Sequence, residues 1–96
     1  MKPRKTTGGP RCVICGTNKN IEDHHIGGRN HLAWATMPLC LSHHRQCHIL
    51  LDNAGIDLNY TPDPLERLLR ASKAITIFQC MVQEAMHHTL LAQAAA

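Results

Sequence analysis

The chain has 96 residues, enough for one domain and not for two, and a chain this short buries so modest a share of its surface that a metal staple commonly supplements the core. Three aromatics, Trp34, Tyr60 and Phe78, make a thin core, and no run approaches the roughly 18 apolar residues of a membrane span. The net charge of +3 is unevenly spread: residues 1–50 hold seven Lys and Arg against Glu22 and Asp23 (+5), residues 51–96 three against five acids (−2), and a basic half of this kind suits a polyanionic partner.

In chain order, residues 1–10 are basic, polar and contain Gly and Pro, so they read as a mobile arm in which Lys2, Arg4 and Lys5 are candidate nucleic-acid contacts. The opening MKPRKTTGGPR has no apolar stretch of the secretory kind. Five cysteines, an odd number, are then expected in a reducing cytoplasm, where clustered Cys and His hold metal more often than they form disulfides. Cys12 to Cys15, closed by Gly16, reads as a tight knuckle. Residues 21–26, a Gly27-Gly28 turn and residues 32–39 read as a short hairpin with an irregular loop.

Ser42 is the expected cap of a helix running to about Leu51, with stop signals at Asp52-Asn53-Ala54-Gly55. Residues 11–55 thus form the expected core unit and 56–63 a connector. Asp63-Pro64-Leu65-Glu66 predicts a helix start with Asp at the cap, Pro at the first position and Glu closing a capping box. From there Leu65, Leu68, Leu69, Ser72, Ile75, Phe78, Val82, Ala85, Met86 and Leu90 recur at three- and four-residue steps, predicting one apolar face of a helix over 64–94. At about 1.5 Å per residue it spans roughly 40 Å, so it is expected to break, wrap the domain or pair with another copy or a partner. Ala92 to Ala96 reads as a frayed end.

Two constellations carry chemistry. Cys12-x-x-Cys15 and Cys40-x-x-His43 have the spacing by which one turn presents two ligands to a tetrahedral ion, and 24 residues separate the dyads, enough for the hairpin to loop out between them. Three thiolates and an imidazole suit zinc, and such a closed site serves folding. His24, His25, His44 and His48 remain. His44 and His48 sit four apart on the expected helix and therefore share a face, a good chelating pair for a divalent ion. His24 and His25 are adjacent on an extended segment, so their side chains diverge. One can bind the ion while the other, as a neutral imidazole, accepts a proton from water near pH 7. Adjacent surface histidines without a role are one alternative, and His44 rather than His43 completing the zinc site is another. His31 reads as a loop histidine, and His87 and His88 have no partner motif. Cys47 and Cys80 are expected free thiols, Cys47 close enough to His48 to perturb a metal site.

Cys12-Val-Ile-Cys15-Gly16, Asp23-His24-His25-Ile26, Pro38-Leu39-Cys40-Leu-Ser-His43-His44 and His48 together resemble the HNH, or ββα-metal, endonuclease family over about residues 11–51. The resemblance implies a small α+β fold, a ββα-metal motif stapled by a structural zinc and followed by the long C-terminal helix. It implies His25 as general base, and a divalent ion (Mg, Mn, Ni or Zn) on His24, His44 and His48. Asp23 is a rival first ligand, and a register shifted by one would make His24 the base. The family's central Asn falls here at Ala35. Asn30 is the candidate for its loop-fixing role, and His43 stands where many members have a fourth Cys.

Arg29 and Arg45 are candidate phosphate contacts, because guanidinium groups engage phosphate through paired hydrogen bonds. The implied function is metal-dependent hydrolysis of DNA, with RNA open, in a bacterial or phage-infected cytoplasm. The alternative is a zinc-stabilised DNA-binding module without catalysis, or an accessory subunit of a phage nucleic-acid machine.

Overall fold

The computed structural model describes residues 9–95. Four elements follow one another: β1 (Ile21–His25), β2 (Thr36–Cys40), α1 (Leu41–Asn53) and α2 (Pro64–Ala95). The strands pair antiparallel, Ile21 opposite Cys40 and His25 opposite Thr36. The second strand is thus shorter than the expected 32–39. Residues 27–35 instead form turns, held by Ile26 N–H to Ala35 O at 3.1 Å and Leu32 N–H to Gly28 O at 2.9 Å. Gly28, at φ +87°, takes the left-handed conformation this turn requires.

The helix after β2 begins without the expected Ser42 cap. Cys40 is the N-cap residue, and no side chain bonds the free N–H groups. Leu41 N–H is satisfied by Asn20 O at 2.9 Å, so a neighbouring backbone segment meets one need a cap would otherwise serve. The stop at residues 52–55 is where the signals put it: Gly55, at φ +70°, turns the chain, and Ile56 N–H returns to Leu51 O at 3.1 Å. Residues 1–8, with Lys2, Arg4 and Lys5, lie outside the described residues.

Helix α2 starts on Asp63, whose Oδ1 accepts Leu65 N–H at 3.0 Å. The return leg of the capping box is not made, because Glu66 Oε1 accepts instead from Arg70 Nε at 3.1 Å, one turn on. The 32-residue helix is unbroken. Its buried face differs from the expected one at both ends: Ala71, Ala74, Phe78 and Met81 are buried, while Leu65, Leu68 and Leu69 are 75, 67 and 48% exposed and Met86 and Leu90 are 60 and 62% exposed. In the first half the reason is close approach. A Cβ on Gly27 would lie 2.9 Å from Leu32 Cβ and 3.3 Å from Ala71 Cβ, so the β1–β2 loop packs against the helix where only small residues fit.

The core is one cluster, in which Leu39, Cys47, Leu51, Phe78 and Met81 join the knuckle residue Cys12. Among the described residues no helix is long and apolar enough to cross a membrane.

Candidate metal centres

The knuckle and the start of α1 bring Cys12, Cys15, Cys40 and His43 together, with one ligand atom from each lying within 4.8 Å of the others. Cys15 and Cys40 sulfurs are 3.9 Å apart, and His43 Nδ1 lies 3.2 Å from Cys40 Sγ and 3.7 Å from Cys12 Sγ. With Zn–S near 2.3 Å and Zn–N near 2.05 Å, tetrahedral geometry places two sulfurs about 3.8 Å apart and sulfur from nitrogen about 3.6 Å. The donor set and spacings fit zinc. Backbone geometry prepares the site as well: Ile14 N–H points to Cys12 Sγ at 3.4 Å, and Gly16, at φ +75°, returns its N–H to Cys12 O at 2.8 Å. Burial alone would raise the Cys12 thiol, but backbone N–H groups at Cys40, Cys15 and Ile14 outweigh it and bring the group down to about 6. His43, not His44, belongs to this cluster, which settles the alternative left open by spacing.

A second group forms where β1 meets α1. His24, His44 and His48 each bring a ring nitrogen within 4.8 Å of the others. Their rings are 4.8 to 5.5 Å apart between centroids. His24 is 1% exposed, a buried titratable side chain on the inner face of β1. Burial, then the facing charges of His44, His48 and His25, lower its pKa to about 4, so the ring is neutral at pH 7. Its Nδ1 is buried without a hydrogen-bond partner, while Nε2 lies 3.5 Å from Cys47 Sγ. Burial pushes the Cys47 thiol up to about 11, so at neutral pH it packs as a small protonated side chain. His48 is also lowered, by burial and by His44, against an opposing pull from Asp52.

Glu22, a residue that sequence reasoning passed over, orients the group. A carboxylate only accepts, so His44 Nδ1–H donates to Glu22 Oε1 at 2.9 Å. The other ring nitrogen of His44, Nε2, thereby lies towards His48 Nε2, 3.1 Å away. The available signal was strand alternation, which places residues 22 and 24 on the same face of β1.

These imidazoles border a cavity of about 250 Å³, which His25, Asp23, Gly28, Arg29, Asn30 and Leu58 complete. His25 therefore shares one cavity with the three clustered histidines. Asn30 Nδ2 donates to Leu58 O at 2.9 Å, a contact between the β1–β2 loop and the connector before α2. Arg29 is exposed at the rim, whereas Arg45 is exposed on α1 and does not border the cavity. His31 is in the loop with both ring nitrogens buried and unpartnered. On α2, His88 lies 3.7 Å from Glu84, and Cys80 is an exposed thiol. No family model, curated protein or solved structure matches this chain.

Proposed function

We propose that the protein is a metal-dependent endonuclease of the ββα-metal type, hydrolysing phosphodiester bonds in DNA. The observation that carries this reading is the cavity that His25 shares with His24, His44 and His48. A zinc-stabilised binding module needs its knuckle and a basic surface. It has no use for a fourth histidine lining the cavity that the three clustered ones border.

His24, His44 and His48 would hold one divalent ion, and the orphaned Nδ1 of buried His24 supports this, since a buried imidazole nitrogen ordinarily has a partner. The spacing of His44 and His48 is consistent: nitrogens about 2.05 Å from a common ion lie about 3.0–3.4 Å apart, against 3.1 Å here. Such an ion supplies charge neutralisation at a phosphate oxygen and at the departing 3′ oxygen.

The chain's own residues do the rest. His25 accepts the proton of a water that attacks phosphorus in line, and the product carries a 5′-phosphate. Arg29 at the rim holds a non-bridging oxygen. Asn30, through Leu58 O, keeps the loop carrying Arg29 in place. The Cys12–His43 centre takes no part in the reaction and maintains the fold.

Cleavage of supercoiled plasmid, with Mg, Mn or Ni ions added to zinc-loaded protein, tests the proposal. His25→Ala is expected to lower the rate by about 10²–10⁴-fold while circular dichroism and bound zinc stay unchanged. Undiminished cleavage in that variant removes His25 from the reaction.

A further inference from the structure

Two of the three aromatic side chains lie outside the core. Trp34 is 84% exposed and Tyr60 63%, against 6% for Phe78. A tryptophan held in water on a turn has no part in this fold's packing, and such rings are characteristic of recognition surfaces. Both rings belong to segments that wall the cavity. Trp34 shares the β1–β2 loop with Arg29 and Asn30, and Tyr60 lies two residues beyond Leu58.

The two segments are joined by Asn30 Nδ2 to Leu58 O and by Arg67, which donates to Asn30 O at 3.4 Å and lies 5.6 Å over the Tyr60 ring. Ile26 and Ala35 are hydrogen-bonded across the base of the loop. Their Cα atoms are therefore about 5 Å apart, and Trp34 is about 9 Å or less from Ile26. That is one residue from the proposed base, His25. Consecutive nucleotides are about 3.4 Å apart when stacked and further apart when extended. The backbone thus sets Trp34 within one to three nucleotides of a phosphate in the cavity.

Arg29 and Arg67 have no carboxylate partner among the described residues, which suits a phosphate backbone, although Asp23 also lines the cavity. The aromatics identify the form of nucleic acid. A guanidinium serves any phosphate backbone, but an exposed indole adds affinity only where the face of a base is open, which paired and stacked bases do not offer. Resting on the endonuclease reading for the position of the phosphate, we infer that Trp34 and Tyr60 stack on unpaired bases beside the scissile bond. The preferred substrate is then single-stranded nucleic acid or the single-stranded part of a fork or flap, not continuous duplex.

Trp34 is the sole tryptophan, so tryptophan emission reports on this position alone. The test titrates zinc-loaded full-length His25→Ala protein with a labelled 12-nucleotide single strand and with the matching duplex, following label anisotropy and tryptophan emission together. The single strand is expected to quench most of the emission and to bind at least about tenfold more tightly than duplex. Adding Trp34→Ala is expected to weaken single-strand binding by about 5- to 150-fold, with a much smaller loss for duplex, and Trp34→Phe to recover most of it.

Saturation by single strand with unchanged emission, or equal losses on both ligands in Trp34→Ala, overturns the inference. So does emission that shifts with protein concentration alone, which assigns the ring to a protein contact. If wild-type protein cuts duplex plasmid while Trp34 emission ignores single strand, the stacking fails and the endonuclease reading stands. If single strand quenches the emission but no nucleic acid is cleaved, the stacking stands and the endonuclease reading fails.

Discussion

At His44 the two ring nitrogens have different commitments, Nδ1 to Glu22 and Nε2 towards His48. A carboxylate behind a ligating imidazole selects the tautomer, fixes the ring and raises its basicity, and losing such a partner typically costs 10- to 100-fold in metal affinity. Glu22→Gln is therefore expected to weaken the exchangeable ion by about 10- to 100-fold in a chelator competition assay, without change at the thiolate centre. Unaltered affinity would make the contact a surface ion pair, which half-exposure of the carboxylate also permits.

Residues of this kind divide what was legible in the sequence from what was not. Cys12, Cys15, Cys40 and His43 announce themselves because thiols and imidazoles at two-residue gaps are chemically costly to keep for any other purpose. Glu22 carries no such mark. An acid on a short strand is ordinarily a solvated side chain, and its partner lies 22 positions away, in a register that spacing alone does not supply.

For α2, two apolar series run along one helix and share Phe78 and Val82. Reading by bulk selects Leu65, Leu68 and Leu69. Packing selects Ala71 and Ala74, and at Ala71 the β1–β2 loop comes so near the helix that a leucine has no room. Large-to-small substitution separates the two. Phe78→Ala is expected to cost about 3–5 kcal/mol in urea denaturation of the zinc-loaded protein. Leu68→Ala, at an exposed position, is expected to stay within about 0.5 kcal/mol. Comparable losses at both positions would mean that the outer stripe is covered in solution.

The start of α1 teaches the complementary lesson. A Ser two residues into a helix looks like a cap, but Cys40 takes the cap position because its sulfur belongs with Cys12, Cys15 and His43, and the backbone at Asn20 supplies the missing acceptor. A side-chain cap is worth about 1 kcal/mol, and here the Asn20 carbonyl accepts from Leu41 N–H in its place. Helix ends at residues 53 and 63–64, set by local Gly, Asp and Pro chemistry, were readable for the same reason that the α1 start was not: nothing distant competes there.

Taken as a whole, the molecule gathers two clusters of potential ligands, both drawing on the first two turns of α1. One is built largely of sulfur, around buried Cys12 and Cys40. The other is built of imidazoles and borders a cavity with His25. Two ions of different character are therefore expected. The measurement that tests this most directly is elemental analysis after equilibrium dialysis against zinc, and again after brief exposure to a mild chelator. Wild-type protein is predicted to hold two ions per chain and then one, and His44→Ala to hold one throughout, with helical circular dichroism preserved in every case. A single ion per chain in the wild-type protein, at zinc concentrations that saturate the thiolate centre, would contradict the second centre and with it the catalytic role of His25.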